Sequence, residues 1–513
     1  MSHFKSARVV GAVIASVMMF SLAACSSEST PDDKSQQSST GSQAPAENHT
    51  LRLSMSAPPS NLSVGNFSGG DSTMFMSIYD TLIHMDNEGN LVPGIAEKWE
   101  YNSERTELTL NIRSGLTFTN GEKLDAKAVM ESLNTARTGP SSAGNLKSIT
   151  DVSAPDETTV VITLAEPDAS LEYTLTSFHG AIGAPSVLTA ESSKLEPIGS
   201  GAYVLDLAKT TNGAKYVLER NEDFYDLAQY PFDSLEIQVI QDPTAVQNAV
   251  RAGQIDFAGL QTADQASQFP DDKFTVGTNK PNSVGVLWMI DGAGKVVPQL
   301  ADERVRQAIN FAFDREGIAQ GLGPGIMHAT EQLFSPLGGA WSDAENAVYP
   351  HDVTKAKQLL ADAGYPDGFE VSMPSTVLTT AYEPFITQAL KDIGITVNWD
   401  NVPFQDFYSK IYGGAYGMFF MFNGFGGSDA GDINAALNFN TLGYLDPKIV
   451  DLLEAANIAG TPDAFAPLND YLVKSAWAAP LAYTTSMYVV PNTVTYDPPV
   501  RGNAGVLPFG LAN

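Results

Sequence analysis

The sequence contains one cysteine, Cys25, among 513 residues. A single cysteine cannot form an intrachain disulfide, so packing and hydrogen bonds must hold the folded body together. Basic residues are also scarce, because 29 Lys and Arg stand against 59 Asp and Glu, for a formal net charge of −30. Such a surface repels phosphate, which argues against nucleic acid as a partner. Neutral or cationic ligands are easier for it to accommodate.

Histidines and catalytic motifs are equally sparse. No histidine has another histidine or a cysteine at metal-ligand spacing. The six histidines are His3, His49, His84, His179, His328 and His351. The chain also lacks an HExxH motif, a G-x-S-x-G nucleophile elbow and a Walker loop. We therefore predict no metal site, no cofactor and no enzymatic activity. Two carboxylates in one cleft, which suffice for glycoside hydrolysis, are kept as the remote enzymatic alternative.

The N-terminal residues have the features of an export signal. Lys5 and Arg8 precede an apolar run that ends at Leu22, and this run is shorter than the roughly 20 residues of a spanning helix. We predict that residues 1–24 form a signal peptide that is cleaved before Cys25. This site resembles the lipobox of bacterial lipoproteins, which implies that the Cys25 thiol carries a membrane-anchoring lipid. The alternative is an incidental cysteine behind an ordinary signal peptide.

The segment that follows has the composition of a tether. Residues 26–50 contain no aromatic and no large aliphatic side chain, so they cannot bury a core. We predict that residues 25–50 are a flexible coil that spans roughly 25–30 Å on average. From residue 51 onward the pattern changes, because Leu51, Leu53 and Met55 alternate as a half-buried strand does.

Helical and strand patterns alternate along the body of the chain. Asp302 and Asp352 precede apolar residues at helical spacing, and Thr380 with Glu383 forms the pattern of a capping box. A strand pattern that starts at Ile395 follows directly. Such alternation predicts an α/β fold with an open sheet.

Residues 91–136 are the most informative part of the chain. They predict, in order, a short helix that ends at Trp99, a half-buried strand, a tight turn at Asn120 and Gly121, and a helix capped by Asp125. Nothing in this stretch is chemically reactive.

The pattern in this stretch resembles the signature segment of the extracellular solute-binding proteins of family 5, which serve peptide and nickel importers of the ATP-binding cassette type. The matching residues are Pro93, Gly94, Ala96, Trp99, Arg113, Gly115, Gly121, Glu122, Leu124, Ala126 and Val129. The resemblance implies a periplasmic-binding-protein-like α/β fold, with two lobes of mixed sheets joined by a two-strand hinge. We expect a first lobe at residues 51–282, with an extra subdomain at about 80–195, a second lobe at 283–480, and a return to the first lobe at 481–513.

The same resemblance points to ligand-binding residues in a cleft between the lobes. Asp429 matches, with one residue inserted, the aspartate whose carboxylate receives the α-ammonium group of the ligand in peptide-binding relatives, and Phe425 takes the aromatic place. Trp288 and Trp399 are candidate walls of the pocket. The alternatives are that Asp429 and Asp432 cap the following turn, and that both tryptophans pack in the core.

Arginine is absent between residues 317 and 480. Dipeptide binders of the family use an arginine of the second lobe to pair with the carboxylate of the ligand through two hydrogen bonds. Its absence argues against a tightly clamped dipeptide. It is compatible with a longer peptide held by its backbone, or with a ligand that has no carboxylate.

Together these features predict a lipid-anchored receptor on the extracellular or periplasmic side of a membrane that captures a small solute. The resemblance implies an oligopeptide as the ligand and the permease and ATPase subunits of an importer as partners, and we expect a monomer. A nickel or other metal chelate and an oligosaccharide are alternative ligands. Sugars are included because they stack on aromatic faces such as those of Phe422, Phe425 and Trp399.

Overall fold

The computed structural model describes residues 49–443, 445–500 and 505–512. The predicted signal peptide, Cys25 and nearly all of the predicted tether therefore lie outside the described residues. Within the described ranges, no helix is both long and apolar enough to cross a membrane.

The central sheet of the first lobe begins with the strand Thr50–Met55, whose alternate side chains are buried as predicted. This strand pairs in parallel with Ser234–Val239, and the remaining neighbours in the sheet pair antiparallel. The sheet order is Thr50–Met55, Ser234–Val239, Lys215–Arg220 and Tyr203–Leu205. The buried side chains of these strands belong to the large apolar core of the first lobe.

A second sheet of the first lobe corrects one prediction. The residues up to Trp99 do not form a helix, because Ala96–Tyr101 is a strand that pairs antiparallel with Glu107–Ile112. The aromatic side chains of this strand suit a half-buried pleated surface. In addition, the indole N–H of Trp99 donates to Glu172 Oε1 at 2.6 Å. Tertiary contacts therefore fix an extended conformation where the short sequence pattern indicated a helix.

The helix Ala126–Ala136 packs on this second sheet, and its predicted cap is confirmed. The carboxylate of Asp125 accepts from the N–H of Ala128 at 3.1 Å, which satisfies one of the free donors of the first turn. The sheet order is Ala96–Tyr101, Glu107–Ile112, Thr159–Leu164 and Ile149–Ser153.

The chain crosses between the lobes twice, at residues 279–282 and at residues 485–486. The two crossings are hydrogen-bonded to each other. The N–H of Asn279 donates to Ser486 O at 2.7 Å, and the side-chain amide of Asn279 bonds to Ser486 Oγ at 2.9 Å. These paired crossings correspond to the two-strand hinge that the family resemblance implies.

The strand after the second crossing returns to the first lobe. Met487–Pro491 lies between Ala258–Leu260 and Phe274–Thr278 and pairs antiparallel with both. We accordingly propose that the boundaries between the lobes lie at the two crossings, residues 279–282 and 485–486, because the strands on either side of each crossing belong to different sheets.

The first crossing is also tied to a hairpin of the first lobe. This hairpin consists of the strands Ile83–Met85 and Leu91–Pro93. Lys280 Nζ donates to the main-chain oxygen of Asn87 in its turn, and Asn87 Nδ2 donates to Asp497 Oδ2 at 3.0 Å. The turn is therefore held from the hinge on one side and from the C-terminal segment on the other.

The second lobe is built on a sheet with helices on both faces, as expected for an α/β fold. The sheet order is Met327–Ala329, Ala478–Thr484, Ser283–Met289 and Met418–Gly424. Phe369–Ser375 and Ile395–Asn401 form a further parallel pair. Because successive side chains of a strand point to opposite faces, Leu287 lies in one apolar core and Trp288 in the other.

The remaining strands form short pairs. Pro59–Asn61 pairs with Ser68–Gly69, Asp80–Thr81 with Ala181–Ile182, and Val494–Tyr496 with Phe509–Leu511. The α-helices are Ser72–Ile78, Ala126–Ala136, Leu171–Leu175, Pro243–Arg251, Ala263–Ala266, Glu303–Phe311, Arg315–Leu322, Val353–Asp362, Glu383–Asp392, Phe404–Tyr412, Asp429–Leu437, Pro447–Ala459 and Ala466–Lys474.

The predicted caps at Asp302 and Asp352 are confirmed, whereas the predicted capping box is wrong. The hydroxyl of Thr379, rather than that of Thr380, donates to Glu383 Oε1 at 2.8 Å. The turn before the helix buries Thr379 completely and leaves Thr380 exposed, so only Thr379 can reach the glutamate.

Candidate functional site

A cavity of about 530 Å³ lies between the two lobes, and we call it the interlobe cavity. Its volume falls in the range of small-ligand sites. The first lobe contributes residues 88–91 of the hairpin, Ala169, Tyr173 and Val500. The second lobe contributes residues 337–339, 427–430, 460–462 and Phe465. A molecule bound in this cavity would therefore contact both lobes.

Asp429 lies in the wall of the interlobe cavity, in the first turn of the helix Asp429–Leu437. Its Oδ2 accepts from the N–H groups of Gly339 and Ala340, at 2.9 and 3.1 Å. Its Oδ1 is buried and accepts no hydrogen bond from the described residues. Burial raises the pKa of the Asp429 carboxyl to about 6, although the two backbone hydrogen bonds act in the opposite direction.

The free oxygen of Asp429 needs a glycine opposite it. A Cβ placed on Gly338 would lie 2.0 Å from Oδ1, so no other residue fits there without displacing the carboxylate. Ser428 is the N-cap of this helix, and its hydroxyl accepts from the N–H of Gly431 at 3.1 Å. Capping is thus performed by Ser428, and the carboxylate of Asp429 is used for the loop at residues 338–340.

Asp432 has a different surrounding, although it lies on the same helix. Its Oδ2 accepts from the N–H of Ser335 at 2.8 Å, and its Oδ1 accepts from the N–H of Gly426 at 2.6 Å. Both carboxylate oxygens of Asp432 therefore support backbone. Phe425 lies beside this position, half-buried, and its N–H donates to Asn282 O of the first crossing at 2.9 Å.

Tyr173 faces the interlobe cavity from the first lobe. Burial raises the pKa of its hydroxyl above the ordinary value, and the charges of Glu172 and Asp429 add to the shift. The hydroxyl thus stays protonated at neutral pH. Its position places an aromatic ring opposite Asp429 in the same cavity.

The structure places Trp288 in the core of the second lobe. Its side chain has no exposed surface, and its indole N–H donates to Met421 O at 3.1 Å. The ring contacts the rings of Phe439 and Trp477, with centroids 4.8 and 6.0 Å away. The core alternative therefore fits Trp288, and a pocket wall does not.

Trp399 is half-buried on the other face of the second lobe. Its indole N–H donates to Thr387 Oγ1 at 2.9 Å, and its ring packs against the core that contains Leu287. It is absent from the lining of the interlobe cavity. Of the four predicted ligand-binding residues, the structure therefore puts only Asp429 in the lining of the interlobe cavity, and Phe425, Trp288 and Trp399 lie outside that lining.

Sequence reasoning missed the loop at Gly338 and Gly339 and the hairpin turn at residues 88–91. The paired glycines were the available signal, because a close approach of backbone to another group requires glycine. The hairpin turn has no such signal, since its place in the cavity depends on how the two lobes meet.

The lobes also touch outside the interlobe cavity. Asn434 Nδ2 of the second lobe donates to Ser170 Oγ of the first at 3.0 Å. The guanidinium carbon of Arg105 lies 4.1 Å from the centroid of the Tyr101 ring, which aims the side chain at the end of the helix Pro447–Ala459. A positive charge at a helix C-terminus is favourable.

Gly460 ends that helix with a φ of 64°, and a Cβ on it would lie 2.3 Å from the Arg105 guanidinium carbon. We expect Gly460→Ala to lower the free energy of unfolding by about 1–2 kcal/mol, because alanine is strained in the left-handed region. We also expect a larger radius of gyration for the ligand-free protein in X-ray scattering, because the new methyl group pushes Arg105 out of the contact between the lobes.

Gly364 provides the matched control for this variant. It has a φ of 94° after the helix Val353–Asp362, and a Cβ on it would meet nothing within 4 Å. Gly364→Ala should lower the free energy of unfolding through the same backbone strain, and it should leave the radius of gyration unchanged. Equal radii of gyration for the two variants would contradict a contact between the lobes at Gly460.

We find no cluster of metal-ligating side chains among residues 49–443, 445–500 and 505–512. No group of three histidine, cysteine, aspartate or glutamate side chains in these ranges could hold a metal ion.

Comparison with known proteins gives the family. The sequence model of the bacterial extracellular solute-binding proteins, family 5 (middle region), matches residues 90–443, which is well over half of the chain. The chain belongs to this family. The signature in residues 91–136 lies at the start of the matched region, so the resemblance predicted from the sequence is confirmed.

Two curated proteins illustrate the family 5 relationship. A protein of Brucella ovis with the provisional name ABC transporter peptide-binding protein is 28% identical over 402 residues, which cover 73% of this chain and 74% of that protein. Heme-binding protein A of Haemophilus influenzae is 28% identical over 384 residues, which cover 68% of each.

Solved structures confirm the two-lobed, periplasmic-binding-protein-like fold of this family 5 member. The periplasmic binding protein DppA of Helicobacter pylori, in complex with the peptide STSA, superposes with a TM-score of 0.71 at 20% identity. The superposition covers 91% of this chain and 98% of the other.

Proposed function

We propose that this family 5 protein is the solute receptor of an ATP-binding cassette importer and that its ligand is an oligopeptide. The observation that carries the ligand class is the carboxylate of Asp429, which lies in the wall of the interlobe cavity and whose buried Oδ1 has no hydrogen-bond donor among the described residues. A buried carboxylate oxygen without a donor costs free energy unless a ligand supplies one. The α-ammonium group of a peptide supplies both the donors and the opposite charge.

The names of relatives support this proposal. The Brucella ovis relative is named for peptide binding and for an ABC transporter, and the Helicobacter pylori structure contains a peptide. The Haemophilus influenzae relative is named for heme. Heme carries two carboxylates, which the carboxylates of Asp429 and Glu88 in the interlobe cavity would repel. The charge of this cavity therefore favours an amine-bearing ligand.

Closure of the lobes would couple binding to delivery. The interlobe cavity is lined from both lobes, so a ligand can make all of its contacts only when the lobes are close together. Rotation about the two crossings at residues 279–282 and 485–486 would open and close the cavity. The permease would then recognise the closed, loaded receptor, and no chemical step is needed.

Mass spectrometry of the bound ligand tests the proposed function directly. Residues 50–513 are purified gently from the native host, measured under native conditions and then denatured to release what they carry. A mixture of short peptides is the expected result. A sugar, a metal chelate or a heme among the released molecules would overturn the choice of peptide while keeping the receptor role.

We further propose that Cys25 anchors the receptor to the outer side of the membrane as a monomer, with residues 1–24 removed and residues 25–50 as the tether. Two acyl chains on one cysteine are sufficient for stable attachment. The change Cys25→Ala is expected to move the protein from the membrane fraction to the soluble fraction, measured by immunoblotting after cell fractionation. A Cys25→Ala protein that stays entirely in the membrane fraction would refute the anchor.

A further inference from the structure

A second cavity, of about 480 Å³, lies within the first lobe, and we call it the inner cavity. Its lining includes Met85, Arg113, Phe224, Tyr230 and Leu507. It continues into a small pocket of about 40 Å³ that shares His84, Met85, Phe224, Tyr230 and Leu507 with it. All of these residues belong to the first lobe, so this space exists independently of the second lobe.

One hairpin separates the inner cavity from the interlobe cavity. Residues 84–88 and 92–93 of the hairpin line the inner cavity, and residues 88–91 line the interlobe cavity. Glu88 at the turn borders both. A ligand in the interlobe cavity therefore lies one hairpin turn away from the inner cavity.

The walls of the inner cavity combine apolar and aromatic residues with polar residues and with charges of both signs. Met85, Phe224 and Leu507 supply a thioether, a ring and a branched chain, which together suit a flat ring through edge and sulfur contacts. Arg113 and Asp226 bring opposite charges to the same lining. Asp86 and Glu88 add two further carboxylates, so the lining is acidic overall and repels an anionic side chain. Its apolar and aromatic residues suit an uncharged ring.

His84 is held rigidly where the inner cavity meets the small pocket. Its Nε2 lies 2.5 Å from Oδ1 of Asp80, and the Asp80 side chain is only 3% exposed. A Cβ on Gly94 would come within 2.8 Å of the imidazole, so the ring fills the space that this glycine leaves. Burial lowers the pKa of His84, but the Asp80 carboxylate outweighs it, and the pKa stands above its ordinary value. The pair thus supplies a fixed polar edge with little net charge.

We propose that the inner cavity is a second ligand subsite, which accepts a planar, mainly apolar side chain with one hydrogen-bond acceptor, such as the phenol of tyrosine. This inference rests on the proposed function, because the side chain belongs to a peptide whose α-ammonium group lies at Asp429. The apolar residues of the wall bury the ring, and the imidazolium of His84 donates to the oxygen of its hydroxyl group. The subsite makes this receptor selective for peptides that carry an aromatic residue.

Fluorinated peptides test the subsite. The probes are tetra-alanine and the four peptides in which 4-fluorophenylalanine replaces one alanine in turn. We expect at least one of the four to bind about tenfold or more tightly than tetra-alanine, because burying a ring removes its surface from water. Calorimetry measures the affinities, and the fluorine resonance of the bound peptide should be shifted.

Leu507→Trp fills the inner cavity and should abolish the advantage of the aromatic peptide while leaving the affinity for tetra-alanine unchanged. Val92→Trp fills the cavity from the hairpin side and should act in the same way. Leu207→Trp, at a residue that is 51% exposed, is the matched control and should keep the advantage. The assignment is wrong if no aromatic peptide has an advantage, or if both filling variants retain it. If neither variant folds, the wild type provides the test. A nuclear Overhauser effect between the fluorinated ring and the Met85 methyl group would support the subsite, and its absence would overturn the subsite.

Failure of the proposed function can be distinguished from failure of the subsite. If the receptor does not bind peptides, then neither tetra-alanine nor any fluorinated peptide would bind the wild type. 4-Fluorophenol has no amine and probes the inner cavity alone. Broadening of its fluorine signal by the wild type and by Asp429→Asn, but not by Leu507→Trp, supports the cavity as a ring-binding site. No broadening by the wild type would overturn it.

Discussion

Asp429→Asn is expected to weaken the binding of an amine-bearing peptide by about 1–3 kcal/mol and, at the same time, to stabilise the ligand-free protein. The first effect follows because asparagine cannot pair its charge with an ammonium group. Calorimetric titration with a peptide identified by mass spectrometry measures it. The loss should appear only for ligands with a free amino terminus, so the acetylated peptide is the control ligand.

The gain in stability follows from the pKa of Asp429, which burial raises to about 6 in the folded protein. The folded state holds this proton more tightly than the unfolded chain does. The stability that the proton contributes is therefore complete below about pH 4 and is lost as the pH rises through about 6. At neutral pH the ionised carboxylate costs about 2–3 kcal/mol, which asparagine avoids because it has no charge. Thermal unfolding at pH 5 and pH 8 should show a larger gain for Asp429→Asn at pH 8.

Asp432→Asn is the matched control on the same helix. Both oxygens of Asp432 accept backbone hydrogen bonds, and asparagine can replace only one of them. This variant should lose stability where Asp429→Asn gains it. If Asp429→Asn destabilises the protein and leaves the peptide affinity unchanged, Asp429 is a structural residue and the peptide proposal loses its main support.

Trp288→Ala is expected to lower the free energy of unfolding by about 3–5 kcal/mol, which is the usual cost of removing a large aromatic side chain from a core. The side chain has no exposed surface and donates its indole N–H to Met421 O. Because Trp288 lies outside the interlobe cavity, the fraction that remains folded should bind peptide with unchanged affinity. Denaturant unfolding and calorimetry at low temperature measure the two quantities.

Trp399→Ala provides the comparison for Trp288. Its ring is half-buried and its indole N–H bonds to a threonine hydroxyl, so we expect a smaller cost, about 1–3 kcal/mol. If the peptide affinity falls with Trp288→Ala and stays unchanged with Asp429→Asn, then Trp288 is the ligand-binding residue and Asp429 is the structural one, which would contradict both assignments.

The sequence predicts the strands and caps well where the signal is local. Thr50–Met55 alternates over a single face, and Asp125 sits directly before its helix, so short-range patterns suffice for both. The strand at Trp99 was predicted as a helix because its extended form depends on pairing with Glu107–Ile112 and on Glu172, which lies 73 residues away. Such partners are invisible in a local pattern.

The candidate site was predicted only in part, for a similar reason. Asp429 could be placed by its match to the family, but the burial of its Oδ1 without a hydrogen-bond donor depends on the approach of Gly338, which lies 91 residues away in the chain. The prediction of Trp288 and Trp399 as pocket walls does not fit the structure, because a tryptophan in a strand has the same local pattern whether it faces a core or a cleft. The inner cavity could not be predicted from a local pattern, because its walls come from separate parts of the chain: residues 84–88, 92–93, Arg113, four residues between 224 and 230, and Leu507.

The bond from Lys280 to the hairpin turn at Asn87 has a kinetic consequence. Lys280 lies on a crossing whose backbone angles must change when the lobes rotate apart. The hairpin turn at Asn87, to which Lys280 is bonded, should therefore move with the hinge. That turn forms a wall of both cavities. The α-ammonium group and the aromatic side chain of a bound peptide should then be released in a single event. The residence time of the peptide should therefore equal the lifetime of the closed hinge.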